Sequence, residues 1–138
     1  MEQFTIILME KEQESGFLTK ECGSYTVTGN EAQLHQIYVI DTPDDKQIHI
    51  KLTCDKETDD WEYEAIFDYY DTDVLLPYVT TIIEEDEHFN PVWALTLPFS
   101  ENQQEMEEIL TNILQTHHTE LQSAYDAIAD KKGDYIEQ

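Results

Sequence analysis

Apolar and polar residues alternate with two different periods along this chain, and the period changes near Ser100. Before that point, short apolar or alternating runs between polar clusters read as β-strands. After it, the apolar positions recur with the spacing of a helix. Phe4–Met9 is apolar on both faces, as a central strand would be, and the charged stretch Glu10–Gly16 turns the chain. Phe17–Thr28 is a second run, with a bulge expected at Gly23-Ser24 and an end at Gly29-Asn30. Leu34–Ile40 and Gln47–Cys54 flank the turn-forming segment Asp41–Lys46 and predict a hairpin. In its second strand Ile48, Ile50, Leu52 and Cys54 alternate with His49, Lys51 and Thr53, giving one dry face. Matching that face to Leu34, Tyr38 and Ile40 requires an even pairing sum, hence an odd-length loop, because a one-residue slip turns every side chain over.

Asp55–Asp60 is the next turn. Trp61, Tyr63, Ala65, Phe67 and Tyr69 then alternate with Glu62, Glu64 and Asp68, which predicts a half-buried strand. After Asp71-Thr72-Asp73, the run Val74–Ile83 contains Pro77, so a strand is expected to begin near Tyr78. Glu84–Pro91 turns again and Val92–Phe99 completes the strands.

Ser100 with Gln103 has the spacing of a capping box, Glu101 and Glu105 suit the positive end of a helix, and Lys131-Lys132-Gly133 supplies cations and a stop. Residues 101–132 therefore predict one helix, or two with a bend. Met106, Leu110, Ile113, His117, Leu121, Ala124 and Ile128 advance by about 3.67 residues per step, against the 3.5 of a left-handed coiled coil. With Ile109, Leu114 and Tyr125 the stripe is wide enough to lie on a sheet, and a coiled-coil dimer is the alternative. The expected architecture is α+β, an antiparallel meander of about six or seven strands covered by a long C-terminal helix, in one domain over residues 1–138.

Charge narrows the function. The chain has 31 Asp and Glu against 7 Lys and no Arg, a net of −24, so it lacks the guanidinium fork for phosphate and its field repels polyanions. Direct binding to nucleic acid or an anionic membrane is excluded on those grounds. With 40% apolar and 11% aromatic residues, the charge sits on a foldable body. No basic leader precedes the short apolar run at Phe4–Met9, so a cytoplasmic protein is expected. Cys22 and Cys54 are far apart and read as reduced, structural thiols.

Half of the net charge, −12, falls in residues 55–87. An up-and-down sheet would bring the turns at 55–60 and 84–91 to one end. A hard-cation site for Ca²⁺ or Mg²⁺ would draw on Asp55, Glu57, Asp59, Asp60, Glu85 and Asp86. Asp55, Glu57 and Asp59 have the opening spacing of an EF-hand loop, but Asp60 replaces its glycine and Ile66 its bidentate glutamate. A solvated acidic rim is the competing reading. An acidic interaction surface is the third, with Glu62, Glu64, Asp68, Tyr70 and Asp71 facing a basic protein partner that they attract by charge. The adjacent His117 and His118 lie about 100° apart on a helix and cannot chelate together, which makes His117 a hydrogen-bonded core residue. His35 and His49 could share a wet face, with no zinc-like third ligand. Four glycines, at 16, 23, 29 and 133, write neither a dinucleotide fingerprint nor a P-loop, and no serine sits in a nucleophile elbow. No cofactor is expected, and an enzyme would need a site that no motif announces.

The stretch Asp60-Trp61-Glu62-Tyr63-Glu64-Ala65-Ile66-Phe67-Asp68-Tyr69-Tyr70-Asp71-Thr72, followed by Phe89-Asn90-Pro91, resembles a family of short acidic proteins of unknown function from Gram-positive bacteria. The similarity runs from the Gly16-Phe17-Leu18 turn to the final helix and implies a bacterial cytosolic domain without bringing any activity. The expectation is a non-enzymatic module, monomeric or weakly dimeric, that binds protein through its acidic surface.

Overall fold

The computed structural model describes residues 2–136, so Met1 and the last two positions of the predicted 1–138 domain lie outside the described residues. Six strands, β1 (Glu2–Lys11), β2 (Leu18–Gly29), β3 (Leu34–Asp41), β4 (Lys46–Thr53), β5 (Thr81–Glu85) and β6 (Val92–Pro98), form one sheet in the order β2-β1-β3-β4-β6-β5. Three helices accompany them: α1 (Asp60–Tyr69), α2 (Gln103–Ile128) and the short α3 (Lys132–Tyr135). The fold is α+β, but the sheet is mixed rather than an antiparallel meander. After the β1–β2 hairpin, a 3₁₀ turn at Glu31–Gln33 leads to β3 on the other side of β1, running parallel to it.

The helix stripe is where it was expected. Met106, Leu110, Ile113, Leu114, His117, Leu121, Ala124 and Ile128 are all buried. They share one core with Ile6, Leu8, Val27, Ile48, Ile50, Leu52 and Leu95 from the covered face of the sheet. The helix comes close to β2. A Cβ built on Gly29 would lie 2.8 Å from Leu114 Cβ, so this approach requires glycine. Glu107 and Thr111 of α2 also accept hydrogen bonds from the Thr26 and Thr28 amides at 2.6 and 3.2 Å, which occupies that end of the β2 edge.

Several local expectations change. The segment Trp61–Tyr69 is helix α1, not a strand: Asp59 and Glu62 form a capping box, with the Glu62 carboxylate accepting from the Asp59 amide at 3.0 Å. Ile66, which already broke the alternation, is fully buried beside Ala65 on the helical face. In the β3–β4 hairpin the pairing sum is odd, with Val39 opposite Ile48 and Ile37 opposite Ile50, across a four-residue loop at 42–45. Tyr38 therefore lies on the face away from the helices, where it is buried by stacking on His49 at 5.2 Å and by Lys11 over its ring at 4.4 Å. A bulge near His35 restores the even register at Leu34 and Leu52.

The bulge in β2 falls at Cys22, one residue before the predicted Gly23-Ser24. β1 has one dry face only, since Ile7 is 56% exposed while Ile6 and Leu8 are buried. Thr72–Leu75 is a 3₁₀ turn, and β5 starts at Thr81 rather than Tyr78. The cap of α2 is Asn102, whose side chain accepts from the Glu105 amide, and Ser100 instead supports Asn102. The helix ends at Ile128, before the lysines, and Gly133 lies inside α3.

Candidate functional site

Pairing of Thr53 with Val92 sets the end of β4 beside the start of β6, so the segments 54–59 and 86–91 meet at one end of the sheet. The Phe89-Asn90-Pro91 motif clamps them together. Asn90 Oδ1 accepts from the Thr58 amide at 3.2 Å and its hydroxyl at 3.1 Å, and the Pro91 carbonyl accepts from the Thr53 hydroxyl at 2.8 Å. Between this clamp, the start of α1 and α3 lies a cleft of about 690 Å³. Asp59, Asp60 and Glu64 supply its acid, Trp61, Phe89 and Tyr135 its aromatic wall, and Lys132 and Ile136 also line it. Phe89 is 77% exposed, which places an uncovered ring at the cleft.

The acid continues along α1. Asp60, Glu64 and Asp68 stand four residues apart on its exposed face, a rise of about 6 Å per step. The Tyr135 hydroxyl donates to Asp68 Oδ2 at 2.6 Å; that bond first, then partial burial and the charges of Asp68, Tyr69 and Glu64, push the phenol up to about 12. Glu84, on the helix side of β5, is held above the usual carboxylate range by burial and by the Asp68 charge. A cation brought to this row would relieve that crowding.

The other sequence-predicted residues do not share one point. Asp55 accepts from the Asn30 amide nitrogen at 3.0 Å and the Tyr125 hydroxyl at 3.3 Å, while Glu57 and Asp86 are exposed. Glu62 is engaged by the Asp59 amide and by Lys56 at 3.5 Å, and Asp71 accepts from the Asp73 amide. Tyr70 is no surface residue. It is buried, stacked on Trp93 at 4.4 Å and hydrogen-bonded to His117 Nδ1 at 2.7 Å. His117 is the core histidine that the stripe indicated, with Nε2 on the Thr53 carbonyl at 2.9 Å. Burial is the main cause that lowers it to about 4, so it is neutral, donating from Nε2 and accepting at Nδ1.

Among the described residues, the ligand atoms of Glu85, Glu87 and His88 lie within 4.8 Å of one another. Partial burial pushes Glu85 up, but hydrogen bonds from His88 and Lys51 prevail and hold its carboxyl below the ordinary range. His35 joins this group rather than His49, its ring 5.4 Å from that of His88. Sequence reasoning passed over His88 and gave Phe89 only a place in the family motif. Their one signal was an imidazole and an aromatic ring set in an otherwise polar turn. Cys54 is a buried thiol raised to about 11 by burial and is no nucleophile.

Fold and site define an α+β domain whose six-stranded mixed sheet is backed by helices and whose sheet end carries an acidic, aromatic-walled cleft. The chain matches a family described as being of unknown function, DUF6762, over residues 1–136, and belongs to it. No curated protein and no solved structure matches the chain. Among the described residues, no helix is long and apolar enough to cross a membrane.

Proposed function

We propose that this protein is a binding module that takes up a basic segment of a partner protein in the cleft between α1, the 86–91 turn and α3. The observation that carries the reading is the combination at one place of Asp59, Asp60 and Glu64 with Trp61, Tyr135 and the uncovered ring of Phe89. Lysine and arginine side chains are amphipathic, so their stems would pack on the rings while the charged heads meet the carboxylates. The acidic row at Glu64 and Asp68 would extend the contact along the segment. Carboxylates elsewhere on the body would speed the encounter without specifying it.

Calorimetric titration with a lysine- and arginine-containing peptide, against the same peptide with glutamines in their place, tests the reading. Binding of the basic peptide alone is expected, weakened about tenfold by Glu64→Gln and by Phe89→Ala but not by Glu108→Gln on α2. Equal loss from all three substitutions would mean diffuse attraction and would remove the cleft from the account.

A second reading concerns a divalent cation. Clustered turn carboxylates were its origin, and the convergence of Glu85, Glu87 and His88 favours it at that place rather than at Asp55–Asp60. Two carboxylates and an imidazole suit a borderline cation such as Zn²⁺ better than Ca²⁺, which prefers six or more oxygen ligands.

A further inference from the structure

The sheet has one face covered by helices and one face open, and charge divides sharply between them. Strand register assigns each side chain to a face, since directly paired residues share one. Glu21 pairs with Met9, and Glu85 with Val92, on the open side. Among the described residues, these two are the carboxylates that the six strands direct to it. They are matched by Lys11, which pairs with Leu18, and by Lys51, which pairs with Ala94. A chain of net −24 thus carries one broad face whose strand charges sum to zero. His49 adds no charge at neutral pH, because burial and the neighbouring Lys11 and Lys51 lower its pKa.

The same face carries exposed apolar side chains near both margins, set among threonines and serine. Ile7 is 56% exposed and Leu18 53% exposed, at the β1–β2 margin, and Ile83 is 62% exposed on β5 at the other. Between them lies the stack of Lys11, Tyr38 and His49. We infer that this face is the interface of a symmetric dimer, its occupant a second copy of the chain. Charge selects the copy: a partner of net −24 presents this one face to an identical face without setting rows of carboxylates against each other.

Symmetry supports the same choice. A two-fold axis along the strands brings the β2 margin over the β5 margin of the partner. An axis across the strands brings like margin over like. Either arrangement sets a margin that carries exposed apolar side chains against another that does. Six strands about 4.8 Å apart and roughly seven residues long span about 550 Å² per copy, or about 1,100 Å² in the pair, close to the lower bound for a stable interface.

Sedimentation equilibrium of the full chain, from about 1 to 500 μM in 0.15 and 0.5 M salt, tests the inference. A mass that doubles with concentration is expected, with tighter association at the higher salt because the two bodies repel elsewhere. Ile83→Glu and Leu18→Glu should each weaken association at least tenfold while leaving the far-ultraviolet spectrum unchanged. Leu76→Glu, which alters an exposed apolar residue outside the strands, should leave it intact. A wild-type chain that stays monomeric throughout would overturn the inference, and so would open-face variants that dimerise as well as wild type. Neither result bears on peptide uptake in the cleft at the sheet end.

Discussion

At the residue scale, His117 shows how a polar group is kept inside this core. Its two ring nitrogens are both satisfied, by the Tyr70 hydroxyl and the Thr53 carbonyl, so burial costs no lost hydrogen bond as long as the ring stays neutral. Protonation would remove the acceptor at Nδ1 and bury a charge. The folded pKa of about 4 lies below the unfolded value near 6.5, so between those values the unfolded chain binds more protons. The stability that follows is fully present above about pH 6.5 and is lost as pH falls toward 4, roughly 3 kcal/mol over the whole window. Urea unfolding at pH 7 and pH 5 should show about 2 kcal/mol of this loss in wild type and a flatter dependence in His117→Gln. An equal slope in both would assign the pH dependence to other groups. His117 was legible in the sequence, because a histidine on an otherwise apolar helical stripe has to be a satisfied core residue. Tyr70 was not. An aromatic side chain beside acidic residues reads as surface until its helix is placed, and here the turn out of α1 carries it inward onto Trp93.

At the element scale, α2 was legible because its stripe runs unbroken from Met106 to Ile128 within a helix of 26 residues, far longer than any alternative pattern could persist. Leu110 is 1% exposed, so Leu110→Ala should cost about 2 to 5 kcal/mol through lost transfer energy and the cavity left behind. Glu108→Ala, on the exposed side of the same helix, should change stability by no more than about half a kcal/mol. Chemical denaturation of the two variants at one protein concentration distinguishes burial under the sheet from a solvent-exposed seam, in which case the loss at Leu110 would be small. The misreading of α1 has a physical cause. Five aromatic or apolar residues at alternate positions satisfied a two-residue period, while the start signal for a helix lay just upstream in Asp59-x-x-Glu62 and was absorbed into a turn. In the β3–β4 hairpin the error was one of register. Tyr38 and Ile40 look as apolar as Ile37 and Val39, and the choice between the two pairs is made by the four-residue loop, which period alone does not determine.

At the scale of the whole molecule, charge is the organising quantity. Residues 55–87 carry half of the net charge, yet the structure distributes it over the cleft, the exposed row of α1 and the turn before β6, and leaves the open sheet face neutral. Folding concentrates like charges, so the melting temperature should rise with sodium chloride without saturating. At matched ionic strength, zinc or calcium at Glu85, Glu87 and His88 would add a saturating increment that His88→Ala removes, and equal melting temperatures in all three salts would end the cation reading. That two acidic segments meet was legible from their positions as turns. That aromatic rings join them to form a cleft was not, because Trp61 read as the dry face of a strand and Phe89 as part of a turn motif until α1 and the Asn90 clamp were known. The central claim is that this cleft, and not acidity in general, receives a basic segment. Its most direct measurement is a backbone amide shift map of the isotope-labelled protein during titration with the lysine- and arginine-containing peptide. Saturating shifts confined to residues 58–64, the 86–91 turn and residues 132–136 are expected; small shifts spread over every acidic surface, or shifts centred on the open sheet face, would rule uptake in the cleft out.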